Sequence, residues 1–247
     1  MKQLILHIPH SSTHIPFLDG YILDKEILEH EILKLTDWYT DELFHSENDI
    51  NVTAAFSRIF CDPERFPDDS LEIMSQYGMG VLYVMADDGM ILRSVTPVLR
   101  EKILKEFYWP HHERLIEVVE NQLNLFSQAT ILDCHSFPDI ALIRSQNKDP
   151  DRPDFNIGTD MFHTPQKLID ISVEFFNDKG YSLGINWPYS GTIVPLVHYQ
   201  KNRNVHSVML EINRKLYLKE PTNKKSSGFK DIKSVVASYI EEIKKHL

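Results

Sequence analysis

Apolar positions along this chain keep changing period, and each change marks an element. Residues 3–8 alternate in a β-rich run and predict a first strand. That run feeds straight into Pro9-His10-Ser11-Ser12-Thr13-His14-Ile15-Pro16, a polar loop held between two prolines. From Asp24 the period lengthens. Ile27, Leu28, Ile32, Leu35, Trp38, Tyr39 and Leu43 recur at three- and four-residue spacing, which predicts one long helix capped by Asp24. On such a helix Asp37 and Asp41 lie one turn apart and point the same way. Residues 52–56 and 57–60 read as strand with a bend, and 78–85 as a strand or hairpin arm turned at Asp88-Gly89. Thr96-Pro97 opens a helix running to Gln128, which Pro110 must kink or split.

Residues 130–133 lead a short apolar run that reads as a buried strand and ends abruptly in Asp133, His135 and Ser136. Residues 145–163, rich in Pro, Asp and Asn, read as a loop. Thr164-Pro165 starts a helix that Gly180 closes. Residues 181–186 and 193–198 read as strands on either side of a Trp187-Pro188-Tyr189-Ser190-Gly191 turn. Residues 205–213 are strongly β-like, with Glu211 near the end; a polar linker and an amphipathic helix over 229–246 follow. Strands alternating with helices predict an α/β fold with a mixed, mostly parallel central sheet flanked by helices. One domain over residues 1–247 is expected, since a single α/β domain reaches about 250 residues.

The net charge of −10 argues against a nucleic-acid partner, which calls for a basic patch. It leaves room for a local cationic pocket facing an anionic substrate. The two cysteines, Cys61 and Cys134, form no CxxC pair, so neither a thiolate zinc site nor a disulfide framework is spelled out. The first residues turn polar too early for a signal peptide. No run approaches the about 18 apolar residues of a membrane span, so a cytoplasmic protein with no membrane partner is expected.

Polar residues gathered at the ends of buried strands are where open α/β sheets keep their sites. Here those residues are His10, His135 and Glu211. A catalytic zinc commonly takes three ligands from His and carboxylate side chains and leaves a position for water. His10 and His135 are candidate ligands, with Asp133 placed to orient the His135 ring. Asp37 is the candidate third ligand, and Asp41 its rival. Glu211 is the candidate general base. A lone carboxylate in an apolar strand is costly without a partner, and a salt bridge to Arg214 or Arg144 is the structural alternative. Arg58 and Arg65 fit a carboxylate clamp, because guanidinium offers an anion a planar fork. They fit equally a surface ion-pair cluster with Asp62, Glu64, Asp68 and Asp69. His112 reads as pocket lining or helix packing, and Asn186 and Gly191 as the far wall of a pocket. Cys134 faces away from His135 and reads as a core thiol. No GxGxxG, Walker or GxSxG motif is present.

Taken in order, several short pieces resemble the N-formylglutamate amidohydrolase family: Pro9-His10-Ser11-Ser12, Asp37-Trp38, Ser57-Arg58 with Asp62 and Arg65, Trp109-Pro110-His111-His112, Asp133-Cys134-His135-Ser136, Pro153-Asp154-Phe155-Asn156-Ile157-Gly158-Thr159 and Leu210-Glu211-Ile212-Asn213. They span roughly residues 5 to 217. The family is similar in fold to zinc exopeptidases of the carboxypeptidase and aspartoacylase kind. In those, two histidines and a glutamate bind zinc, a glutamate acts as base, and arginines hold the substrate carboxylate. The resemblance implies His10 and His135 as ligands, Glu211 as base, and Arg58 and Arg65, with Asp62 beside them, at the substrate. Two departures stand out. Thr13 occupies the place of the exopeptidases' His-x-x-Glu acid, which moves the third ligand to Asp37. Asp62-Pro63-Glu64-Arg65 stands where the family often has Asp-Leu-Asn-Arg, which sets a negative charge near the clamp. The expectation is an amidohydrolase with one divalent ion, zinc foremost, acting on a small amide that carries a carboxylate. A binding protein for an acidic metabolite, or a carboxypeptidase or peptidoglycan amidase, are the alternatives.

Overall fold

A computed structural model describes residues 2–247; Met1, where the single-domain reading begins, lies outside the described residues. The strands are β1 (Ile5–Ile8), β2 (Ile50–Thr53), β3 (Ala129–Phe137), β4 (Phe155–Gly158), β5 (Leu183–Ile185) and β6 (Val205–Asn213). They form one sheet in the order β2-β1-β3-β6-β4-β5. β2, β1, β3 and β6 run parallel, while β4 is antiparallel to β6 and parallel to β5. The sheet is thus mixed and mostly parallel. Helices α1 (Lys25–Leu35), α2 (Thr40–Leu43), α3 (Pro97–Ile103), α4 (Trp109–Phe126), α5 (Gln166–Asp178) and α6 (Phe229–Lys244) flank it.

β1 and β3 are buried along their whole length, as strands covered on both faces must be. Alternation then sorts their side chains. Leu6, Ile8, Leu132, Cys134, Leu210 and Ile212 face one way, onto Phe176 of α5 and Val236, Tyr239 and Ile240 of α6. Ile5, Ile131 and Val205 face the other way, onto Leu115, Val118 and Val119 of α4. Each such side chain contributes about 1.5–3 kcal/mol when fully buried. The register of the strands is therefore firmly set, since a slip of one residue would turn both apolar rows to the wrong side. The same parity decides where the chemistry goes. His7, Asp133, His135 and Glu211 share the α4 face, further toward the carboxyl ends of the strands. Cys134 falls in the apolar layer instead, its thiol donating to the Leu132 carbonyl at 3.2 Å.

Four expectations need correction. The helix begun at Lys25 stops at Leu35, because Thr36 is extended (ψ 135°) and Tyr39 is left-handed (φ 64°). The Asp37 amide donates instead to the His10 carbonyl at 3.0 Å. Asp37 and Asp41 consequently do not share a helix face; Asp41 is exposed on α2. Next, the helix over 97–128 is split beside Pro110, as expected, but the break is a π turn over Leu104–Tyr108, ahead of the proline. Pro110 then falls in the first turn of α4, where its ring meets no carbonyl of a regular preceding α-turn.

Residues 57–60, 78–85 and 193–198 form no ladder strand, although Met85 does bridge Ile91 antiparallel across the Asp88-Gly89 turn. Side chains take up several of the backbone groups that a strand partner would bond. Arg93 donates to the Tyr83 and Phe60 carbonyls at 2.8 and 2.6 Å, and Asp133 and Ser207 take up the amide and carbonyl of Ile193. Finally, β4 lies inside the segment read as a loop, its four residues hidden among turn-forming neighbours. Among the described residues no helix is long and apolar enough to cross a membrane.

Candidate active site

The loop after β1 delivers His10, β3 delivers His135, and the gap after α1 delivers Asp37. Three ligand-type atoms meet there. His10 Nδ1 and His135 Nδ1 are 3.2 Å apart, His135 Nδ1 and Asp37 Oδ2 3.2 Å, and His10 Nδ1 and Asp37 Oδ2 3.6 Å. All three residues are buried. Donors bound at about 2.0–2.1 Å around a tetrahedral zinc lie about 3.3 Å from one another, so this triangle has the size of one face of such a site.

The outward ring nitrogens support that reading. His10 Nε2 faces Asp62 Oδ1 at 2.8 Å, and His135 Nε2 faces Asp133 Oδ1 at 3.1 Å. A carboxylate on Nε2 places the hydrogen there and leaves each Nδ1 lone pair pointing inward. Asp37 keeps Oδ2 for the triangle because Arg214 holds Oδ1 at 2.9 Å. Burial would raise the Asp37 carboxyl, but the rings of His10 and His135 and the Arg214 guanidinium beside it outweigh that and hold the group well below the usual range. Burial also raises Asp62, but His10 and the Arg58 guanidinium beside it outweigh that and hold it well below the usual range.

Glu211 pairs in register with His135, on the neighbouring strand. It is 7% exposed, and its Oε2 has no hydrogen-bond partner. Burial pushes its carboxyl up to about 8, more than His135 can offset. Neither proposed salt-bridge partner reaches it. Arg214 is committed to Asp37, Ser136 and the Lys34 carbonyl, and Arg144 donates to the Tyr77 carbonyl.

A cleft of about 400 Å³ opens on His10, Asp37, Arg58, Arg65, His135 and Glu211. Arg58 is braced by Asp62 at 3.0 Å and by the Tyr83 hydroxyl at 3.1 Å, with Nη1 3.8 Å from Asp37. Arg65 Nε is buried without a hydrogen-bond partner, its nearest carboxylate being Asp62 at 3.7 Å. Asp62 itself is wholly buried behind the arginines and does not line the cleft; it braces His10, Arg58 and Tyr83 rather than facing substrate. His112 donates from Nε2 to the Pro63 carbonyl at 3.0 Å and lines an adjoining chamber of about 290 Å³ together with Gly191. Gly191 sits at φ 90°, and its carbonyl lies 2.1 Å from where a Cβ on Gly158 would be, so the wall needs glycine at both places. Asn186 lines neither space. It is exposed and bonds Thr159 through both side-chain atoms.

Sequence reasoning gave His7 no role, Glu64 only a place near the clamp and His111 only a place in a motif. His7 Nδ1 lies 2.9 Å from Asp133 Oδ1 and 3.1 Å from Glu64 Oε1, and His7 Nε2 lies 2.9 Å from His111 Nε2. No local pattern marks His7; the register of β1 on β3, which pairs it with Asp133, is what sets the two on one face.

Fold and site together define an α/β protein in which two histidines, an aspartate and a glutamate with an unpartnered oxygen meet at the carboxyl ends of parallel strands. The family model for N-formylglutamate amidohydrolase matches residues 2–218. The chain therefore belongs to the N-formylglutamate amidohydrolase family. Among solved structures it is similar to an N-formylglutamate amidohydrolase from Ralstonia eutropha JMP134, with 24% identity, 98% of this chain and 93% of that chain covered, and a TM-score of 0.83. It is similar also to a gene product of Agrobacterium tumefaciens, with 17% identity, coverage of 98% and 92%, and a TM-score of 0.68. At these identities the likeness concerns the fold. No curated protein matches the sequence.

Proposed function

We propose that this protein is a metal-dependent amidohydrolase that cleaves the amide of a small N-acyl amino acid, an N-formylglutamate-like substrate bearing a carboxylate. The observation that carries the reading is the His10–Asp37–His135 triangle with the unpartnered Glu211 carboxylate beside it. His10, His135 and Asp37 would hold one divalent ion, and two imidazoles with a carboxylate suit zinc well. Such an ion supplies Lewis acidity, which polarises the amide carbonyl and lowers the pKa of water toward roughly 7.

The chain's own residues do the rest. Glu211 accepts the proton of the attacking water and hands it to the leaving nitrogen. Its raised pKa suits a base that must later act as an acid near neutral pH. Arg58, held rigid by Asp62 and Tyr83, turns Nη1 toward Asp37 and supports charge developing on the carbonyl oxygen. Arg65, with an unmatched donor, takes the substrate carboxylate. Asp133 and Asp62 fix the tautomers of the two histidines. A panel of N-formyl, N-acetyl and dipeptide substrates, offered to the zinc-loaded protein, tests the reading. Hydrolysis of at least one carboxylate-bearing amide, abolished by a chelator, is expected. Binding of small carboxylates with no turnover across the panel would instead favour a non-catalytic binding protein.

A further inference from the structure

Beneath the candidate metal cluster lies a second layer of charge. His7 is fully buried in β1, with Nδ1 against two carboxylate oxygens, Asp133 Oδ1 at 2.9 Å and Glu64 Oε1 at 3.1 Å. Only Asp133 receives the Nδ1–H as a hydrogen bond. Glu64 Oε1 is buried and has no hydrogen-bond partner, so what holds it there is charge. On the far side, His7 Nε2 and His111 Nε2 are 2.9 Å apart, a distance that needs one hydrogen between them. If His111 supplied that hydrogen, His7 would be neutral, and the buried Asp133 and the half-buried Glu64 would face each other across a ring with no charge to share. If His7 supplies it, His7 is an imidazolium and both carboxylates are paired.

Asp133 Oδ1 is the shared atom of the two layers. It accepts from His7 and also from His135 Nε2 at 3.1 Å. Glu64 Oε1 lies 4.0 Å from that same His135 nitrogen, close enough to compete for its hydrogen once released from His7. We infer that His7 is a positioning residue: as a buried imidazolium it holds Asp133 and Glu64 side by side, and through Asp133 it fixes the His135 tautomer that leaves Nδ1 free for a metal. The side-chain environment agrees. Burial disfavours charge on His7, but Asp133 and Glu64 overcome it and carry the ring up to about 9. Burial, followed by the His7 charge, holds His111 well below its ordinary value, as the acceptor of the pair must be.

The inference rests on the reading of His10, Asp37 and His135 as a metal site. The test is Zn2+ affinity, measured by competition with a chromophoric chelator, in the parent, His7→Asn, Glu64→Gln and the double variant. Thermal melting of the metal-free proteins runs alongside. Asparagine keeps a donor near Asp133 but removes the charge. His7→Asn should weaken Zn2+ binding by about 10–100-fold, the usual cost of disturbing a ligand's supporting partner. Adding Glu64→Gln should restore most of that loss, because one carboxylate no longer lacks a cation. It should also restore the metal-free melting temperature. A double variant as weak as His7→Asn would overturn the inference, since a residue that merely fills space is not rescued by an isosteric change in charge. A parent that binds no Zn2+ would overturn the metal reading, and this inference with it.

Discussion

Two histidine pairs stand one behind the other in this molecule, with nearly the same ring geometry. His10 and His135 have centroids 5.0 Å apart and planes inclined by 57°; His7 and His111 have centroids 5.1 Å apart and planes inclined by 56°. What differs is where the carboxylates lie. In the first pair Asp37 stands at the contact between the rings, and Asp62 and Asp133 stand on the outer nitrogens. Three lone pairs therefore converge on one point. In the second pair the carboxylates sit on the outer nitrogen of His7, and the contact between the rings holds only the two nitrogens. Between its two rings the first pair has the donors for a metal, and the second has a place only for a proton. Ring contact alone does not choose between them; the position of the third donor does.

The sharpest way to break this contrast is to delete one ring from each pair. His135→Ala should abolish Zn2+ retention and turnover, while His111→Gln should still hold one Zn2+ per chain by elemental analysis. Equal metal content in the two variants would erase the distinction. Next comes Glu211→Gln, which should keep its zinc and lose about 10²–10⁴-fold in turnover. Hydrolysis at the parent rate would remove Glu211 from the role of base.

The smallest effect is on stability and has a definite sign. The Glu211 carboxyl is raised from 4.5 to about 8 on folding, so between those values the folded state binds the extra proton. Stability of the metal-free parent then falls as pH rises from 4.5 through 8. Glutamine does not titrate. Glu211→Gln should therefore be more stable than the parent at pH 9, by roughly a few kcal/mol, with the gap closing below pH 4.5. Chemical denaturation in the presence of chelator reads this, and a gap that widens toward low pH would contradict it.

His10, His135 and Glu211 were legible in the sequence for a simple reason: each interrupts an apolar run at a strand end, and parallel strands bring such ends together. Asp37 was preferred to Asp41, and the structure sets it beside His10 and His135, but the premise for comparing the two was false. Helical periodicity carried the two aspartates onto one face, whereas the bond from the Asp37 amide to the His10 carbonyl ends the helix early. That bond joins distant segments and leaves no local trace. The strand expected at 193–198 failed for a similar cause, since Asp133 and Ser207 supply its polar partners. Asn186 looked like a pocket residue because it precedes a turn, and it serves that turn through Thr159. His7 stayed hidden because one histidine in a short strand carries no pattern; only pairing with β3 sets it against Asp133.

Zinc-edge X-ray absorption on the one-to-one Zn2+ complex addresses the heart of the matter. Two imidazole nitrogens and a carboxylate oxygen at about 2.0–2.2 Å are expected, with one imidazole lost in His10→Ala. A shell built from other donors, or one unaltered by that substitution, would contradict a metal centre at His10, Asp37 and His135.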